Sequence, residues 1–339
     1  MGKGKLRKPR KRRKILWGTL AALAVVVVGG AGAVAYEYNR LQPQNHFQNM
    51  PSITAPKPSQ HTTKPVELNV KPKAGEFNVL LMGSDARPGQ KAGHSDSILL
   101  IHVDLNQHTY DVLSIPRDTR VYMPGYGYTK LTSVQYLDQV NHGVQQGTLD
   151  AVQAISQLTG VPINYYAETD YWGIQDMVNA VGGIEMDLPF DVTINHAWYP
   201  EDNGKTFTKG THFLNGRMVT ELIHTRYGLP GTDYGRQQLQ EAALVGIAKA
   251  IMKPENVTKL PALSKSLSKF LIATNLSSTD MISLALGVKE DFHPSQQIHY
   301  RQVKGQGEVV YNDVLKAKDD EIILNQGELQ RVVQKYFVG

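Results

Sequence analysis

A chain of 339 residues, 41% hydrophobic and 20% charged, has the composition of an ordinary globular protein with room for one large domain or two small ones. Residues 1–14 hold nine Lys or Arg and no acid, so subtracting nine from the formal +5 leaves −4 for the rest, and the basic face that a nucleic-acid-binding domain needs is missing. The absence of Cys excludes thiolate metal sites, cysteine catalysis and disulfides.

The basic tail, 1–14, leads into 22 uncharged residues, 15–36. At a rise of about 1.5 Å per residue they span roughly 33 Å, enough for the hydrocarbon core of a bilayer. The run exceeds the roughly 7–15 apolar residues of a cleavable signal peptide, so it reads as one uncleaved transmembrane helix. The positive flank predicts a cytoplasmic N-terminus, and everything beyond Tyr38 is expected outside a cell membrane that the chain crosses once. Residues 37–74 contain six prolines among Gln, Thr, Lys and Asn with no apolar period, which predicts a linker.

From Gly75 to the end the pattern alternates. Strands are predicted at 77–82, 98–103, 110–115, 165–169 and 184–188, and helices at 149–158, 172–181, 216–225, 237–252 and 279–289, with a strand or two and a last helix at 329–337 closing the chain. This predicts a single α/β domain, 75–339, with a central mixed sheet flanked by helices. Gly160, Gly182 and Gly183 follow helical runs as C-terminal stops.

Charge collects just beyond apolar strands, where open α/β sheets bind ligands. Asp85 and Arg87 follow Val79–Met82; Asp96 lies eleven residues after Asp85, just before the next strand. If the intervening loop folds back, the two carboxylates repel unless they share a proton or a hard cation such as Mg²⁺; otherwise they cap turns. Arg117-Asp118 ends a further strand, either as a structural ion pair or as part of the same site. Gly125–Lys130 is a glycine-rich loop, either a surface turn or a means of holding Lys130 over an anion. In Glu221–Gln240 a helix stops near His224, Arg226 follows, and Asp233 and Arg236 open the next helix. An arginine at a helix start opposes the macrodipole, so Arg236 either shares the position with an anion or pairs with Asp233 at the surface. Arginine forks match phosphate oxygens, and no serine elbow, phosphate-binding loop or paired-His motif competes; a pyrophosphate or phosphodiester substrate follows.

The segments FNVLLMGSDAR, HSDSILLIHVD, DVLSIPRDTRVYMPGYGYTKL, DAVQAISQLTGVPINYYAETDYWGIQDMVNAVGGIEMDLP, KGTHFLNG and DYGRQQ, in this order, resemble the LytR-CpsA-Psr family. The resemblance covers the chain from about Gly75 onward and implies transfer of a glycopolymer, teichoic-acid-like, capsular or another anionic wall polymer, from an undecaprenyl pyrophosphate carrier to peptidoglycan through a phosphodiester link. It further implies Mg²⁺ on Asp85 and Asp96, the pyrophosphate on Arg117 and Arg226, further polar contacts from Arg87, Lys130, Arg236 and Gln240, and Asp233 or a neighbouring acid as base. The family pattern has arginine where this chain has His94 and His224, and Leu239 and Glu241 replace two further members. If these histidines contact phosphate, they add charge only when protonated, below about pH 6.5. A non-catalytic protein of the same fold that binds polyprenyl phosphate or a wall partner is the second function class.

Overall fold

The computed structural model describes residues 36–54, 73–90, 92–257, 270–288 and 292–337. The basic tail and nearly all of the expected transmembrane run lie outside these residues. Among the described residues no helix is long and apolar enough to cross a membrane.

A six-stranded mixed sheet forms the centre, in the order β11 (Leu271–Thr274), β6 (Tyr165–Asp170), β1 (Glu76–Ser84), β2 (Ser95–Asp104), β3 (Thr109–Ser114), β12 (Ile298–Gln302). β1 is parallel to β6 and antiparallel to β2, and β3 is parallel to β12. Both faces of β1 are apolar because both are covered. Leu80 and Met82, with Ile98 and Leu100 of β2, pack against helices α1 (Leu131–His142), α2 (Val144–Thr159) and the C-terminal helix, Gln326–Tyr336. Phe77, Val79 and Val103 face the opposite way, toward Phe47 and Tyr165. Gly160 takes φ +75° at the C-cap of α2, as its position after the helical run predicts.

A second hydrophobic cluster lies beyond the ends of β1 and β6. Here α3 (Tyr171–Ala180), α4 (Gly216–His224) and α5 (Asp233–Ile251) enclose the hairpin of β7 (Ile184–Leu188) and β10 (Gly210–Leu214). The small pair β8 (Val192–Thr193) and β9 (Thr206–Phe207) carries the loop that returns over α4. Two more hairpins complete the chain: β4 (Arg120–Met123) with β5 (Gly127–Lys130), and β13 (Gly305–Asn312) with β14 (Ala317–Leu324). A sixth helix, α6 (Ser278–Val288), and the C-terminal helix, now α7, finish the set discussed below.

The linker reading needs correction at its first half. Phe47 is fully buried, its ring 4.6 Å from that of Phe77, and Ile53 bridges to Ile163. His46 reaches Asp280 of α6 at 2.7 Å. The folded unit therefore begins near residue 43, ahead of Gly75, because isolated aromatic and aliphatic residues without a period still find a core. The remainder of the expected linker, 55–72, lies outside the described residues.

Candidate active site

Three loops and one strand irregularity converge where the sheet meets the α3–α5 lobe. In the β1–β2 ladder Gly83 pairs with Ser97 and Ser84 with Ser95, so Asp96 is the extra residue of a β-bulge. Bulges re-aim a side chain at the rim of a sheet, and here the carboxylate turns into the interior. Asp96 is only 4% exposed, yet it is surrounded by cations. Arg117 donates to its Oδ1, Arg226 Nη2 lies 3.5 Å from Oδ2, and Arg236 Nη2 donates to its backbone carbonyl at 3.3 Å. The Tyr171 hydroxyl donates to Oδ2 at 3.2 Å. Burial alone raises the Asp96 pKa, but the charges of Arg117, Arg236 and Arg226 outweigh it and hold the carboxyl below its ordinary value. Burial and the nearby Asp96 charge push the Tyr171 hydroxyl up, so it stays a donor.

Asp85 joins the same corner across the ladder. Its amide donates to the His94 carbonyl at 3.0 Å, and its Oδ1 accepts the His94 amide at 2.6 Å. Each aspartate keeps one loosely held oxygen: Asp85 Oδ2 is 3.7 Å from the His94 ring, and Asp96 Oδ2 has only long contacts, to Tyr171 at 3.2 Å, Arg226 at 3.5 Å and Arg236 Nη1 at 3.8 Å. Hard oxygen donors with spare lone pairs fit Mg²⁺, which takes one or two carboxylates and completes its shell with water and substrate oxygens. No third ligand stands with them: among the described residues, the one group of three His or acid ligands is Asp138, His142 and Asp150, on α1 and α2.

The arginines are not all satisfied by these acids. Arg117 Nε, Arg236 Nε and Arg236 Nη1 are buried without a hydrogen-bond partner, as is Gln240 Oε1. Arg236 is 2% exposed, which rules out a surface pair; it donates to Asp233 at 2.5 Å and spans the start of α5 toward Asp96. Unpaired buried N–H groups cost free energy, and several aimed into one region mark a place for an anion.

Two polar pockets flank this cluster. One, of about 590 Å³, is lined by Asp85, Arg87, His94, Tyr136, Trp198 and Arg226, among others. The second, of about 260 Å³, is lined by Arg117, Asp118, Arg226, Tyr227, Asp233 and Arg236. Behind Asp96 the wall turns apolar. A cavity of about 170 Å³ runs from Asp96 and Tyr171 along Leu81, Ala243, Leu244 and Ile247. It shares Leu81 and Leu244 with a further apolar cavity of about 310 Å³ between the sheet and helices α5 and α6, lined by Val79, Ile101, Ala248, Ile251 and Leu284.

The other residues singled out in the sequence fall into place unevenly. Arg87 lies 5.1 Å from the Trp198 ring centroid, and Gln240 lines the apolar cavity beside Asp96. Lys130 is not held over the arginine cluster; it pairs with Asp319 at 3.1 Å and Asp118 at 3.5 Å. Asp233 has both oxygens occupied, by Arg236 and by Gln237 at 3.0 Å. Asp118 is the freer acid of that pocket, with ion pairs of 3.5 and 3.7 Å to Lys130 and Arg117.

His224 lines the larger polar pocket without the charge that a protonated histidine would bring. It is 6% exposed and stacked on Trp198, and burial followed by the Arg226 charge pushes its pKa down to about 4, so it is neutral where arginine would be cationic. His94 stacks on Tyr136 with ring centroids 4.4 Å apart. Leu239 is fully buried in the lobe core, and burial raises Glu241 to about 7. Three contributors escaped sequence reasoning: Tyr171, Trp198 and Glu221. Glu221 is buried and accepts the amides of Trp198 and Tyr199 at 3.0 and 2.9 Å, which fixes the loop over His224. No local motif marks them, because their partners are distant in the chain.

The model of the LytR_cpsA_psr family matches residues 44–331. The chain belongs to the LytR-CpsA-Psr family. Among its LytR-CpsA-Psr relatives is the polyisoprenyl-teichoic acid–peptidoglycan teichoic acid transferase TagU of Bacillus cereus, 28% identical over 300 residues, which cover 87% of this chain and 89% of that one. The fold is shared with TagV of B. subtilis, at 25% identity and a TM-score of 0.64 over 78% of this chain and 96% of that one. The Listeria innocua protein Lin1025 is similar at 27% identity and a TM-score of 0.59, over 78% and 97% of the two chains. The match starting at residue 44 agrees with a folded unit that includes Phe47.

Proposed function

We propose that this LytR-CpsA-Psr protein is a membrane-anchored, Mg²⁺-dependent transferase acting outside the cell membrane. It moves an anionic wall glycopolymer from an undecaprenyl pyrophosphate carrier to a peptidoglycan hydroxyl. One observation carries the reading: the arginines with buried, unpartnered N–H groups, Arg117 and Arg236, both bond to Asp96, and Asp96 in turn lines the apolar cavity. A ligand that fits both must join a condensed phosphate to a long hydrocarbon, and a polyprenyl pyrophosphate is that ligand. The name of the B. cereus relative, a transferase of polyisoprenyl-linked teichoic acid, supports it.

In this reading the prenyl chain lies along Leu81, Leu244 and Ala248, while Arg117, Arg226 and Arg236 take the pyrophosphate oxygens. Asp85 and Asp96 would hold Mg²⁺, which supplies charge neutralisation to the phosphates when bound. The glycan occupies the larger polar pocket, where Trp198 and Tyr136 offer aromatic faces. From the smaller pocket an acceptor hydroxyl oxygen attacks the phosphorus that bears the glycan, and Asp118 accepts its proton. The bond from that phosphorus to the bridging oxygen breaks, and polyprenyl phosphate leaves with the electron pair. The preset guanidinium groups stabilise the charge that develops on the oxygens.

The test uses the full chain in detergent with a synthetic polyprenyl-pyrophosphate disaccharide and a peptidoglycan oligomer. Release of polyprenyl phosphate in step with labelled oligomer supports transfer. Tight binding of a donor that is recovered intact supports the non-catalytic alternative.

A further inference from the structure

Glu168 of β6 is completely buried, and it gathers hydrogen bonds from three side chains. Thr148 Oγ1 and Gln135 Nε2 each donate to it at 2.5 Å, and Gln139 Nε2 lies 3.3 Å from both its oxygens. The two glutamines are thereby oriented with their carbonyl oxygens pointing away from Glu168. Gln139 Oε1 accepts the Gly93 amide at 3.0 Å, and Gln135 Oε1 accepts the Ser95 hydroxyl. Gly93 and Ser95 flank His94, whose backbone holds Asp85 on both sides, and Ser95 immediately precedes the bulge at Asp96.

We infer that Glu168 is a positioning residue for both aspartates. Through Gln139 and Gly93 it fixes the strand end to which Asp85 is bound; through Gln135 and Ser95 it fixes the bulge that presents Asp96. The inference rests on the proposed role of those aspartates, and it explains why a carboxylate sits in the core: an acceptor there selects one flip of each glutamine. An apolar residue of equal size would fill the space and leave both amides free to rotate. Gly93 tolerates no substitute, since a Cβ would lie 2.2 Å from Ser84 Oγ, so this short segment takes its geometry from outside contacts.

The experiment compares Glu168→Met, similar in volume but without an acceptor, with Glu168→Gln, which keeps an oxygen toward Gln135 while Thr148 turns to accept. The full chain in detergent is assayed for hydrogen exchange of residues 92–97 without donor or metal, and for transfer kinetics with the synthetic donor. E168M is expected to exchange about tenfold faster and to lose about tenfold or more in kcat with donor KM little changed, while E168Q restores both within a few fold. A folded E168M with wild-type exchange and kcat overturns the inference, as does an E168Q as impaired as E168M. Should E168M not fold, Gln139→Met, which cuts the link from Glu168 to Gly93 and leaves the one through Gln135 to Ser95, is judged by the same measures. If the wild-type chain transfers nothing, the transferase reading fails, and the exchange measurement alone decides the role of Glu168.

Discussion

The His224 imidazole lies against the Trp198 indole, ring centroids 4.4 Å apart and planes inclined by 26°, on the inner wall of the larger polar pocket. A ring placed this way contributes packing, and its protonation opposes folding. Unfolded, it takes a proton near pH 6.5; folded, only near pH 4. Between these values the unfolded chain binds more protons, so stability rises with pH: this contribution is complete above about 6.5 and is lost as pH falls toward 4. On the order of 3 kcal/mol is at stake, and His224→Gln should remove that slope from urea unfolding curves taken between pH 4 and 7. Parallel pH profiles for the two proteins would show that the ring is not buried as described.

Arginine at position 224 should harm this protein. A guanidinium there would be buried close to the Arg226 and Arg236 charges, with Asp96 already shared. His224→Arg is expected to cost about 3 kcal/mol or more and to leave affinity for a pyrophosphate-bearing donor no better at neutral pH. Thermal melts and donor titration check it; tighter binding with unchanged stability would contradict the assignment.

Phe47→Ala should destabilise the domain by about 3–5 kcal/mol, because the ring is fully buried against Phe77 and Tyr165. A chain starting at Gly75 should lose at least as much. Denaturant midpoints equal to wild type would return residues 43–54 to the linker.

Ala248→Trp fills the apolar cavity between β2 and α5 without touching the polar cluster. Polyprenyl phosphates that copurify with the wild-type chain should disappear from mass spectra of the variant. The KM for a long-chain donor should rise about tenfold or more, roughly what excluding two buried methylenes costs. A donor with a chain too short to reach Ala248 should be used as before, and equal loss with both would point to a folding defect.

Asp118→Asn should lower kcat by about 10²-fold or more with donor KM little changed, as expected for loss of a general base. Asp233→Asn, whose carboxylate serves Arg236 and Gln237, should instead lower stability and raise KM. The reverse pattern would restore Asp233 as the base.

The apolar strands were legible in the sequence because both faces of the sheet are covered, and Ile98–Ile101 and Val79–Met82 appear as unbroken runs. Helix α1 was not, since the side it buries is mixed: Leu131 and Val134 enter the core beside Gln135, Asp138 and Gln139, two of which face Glu168, so the apolar period is interrupted. The same reason hid the arrangement behind Asp96. Arg117, Arg226 and Arg236 could be listed as cations from the sequence, but their convergence on one carboxylate depends on loops more than a hundred residues apart. The apolar cavity was illegible for the opposite cause. Helix α5 buries Leu239 and Ala243 in the lobe core and turns Leu244, Ile247 and Ala248 to the cavity, so a ligand wall reads as ordinary core.

The two polar pockets meet at Arg226 and Tyr227 and share no other lining residue. Reactants that enter from opposite sides of one arginine can be present together and can react without a relay through the protein. Under the transferase reading this makes the reaction a single displacement: initial-rate plots for donor and acceptor should intersect rather than run parallel, and a chiral thiophosphate donor should emerge with inverted configuration at phosphorus.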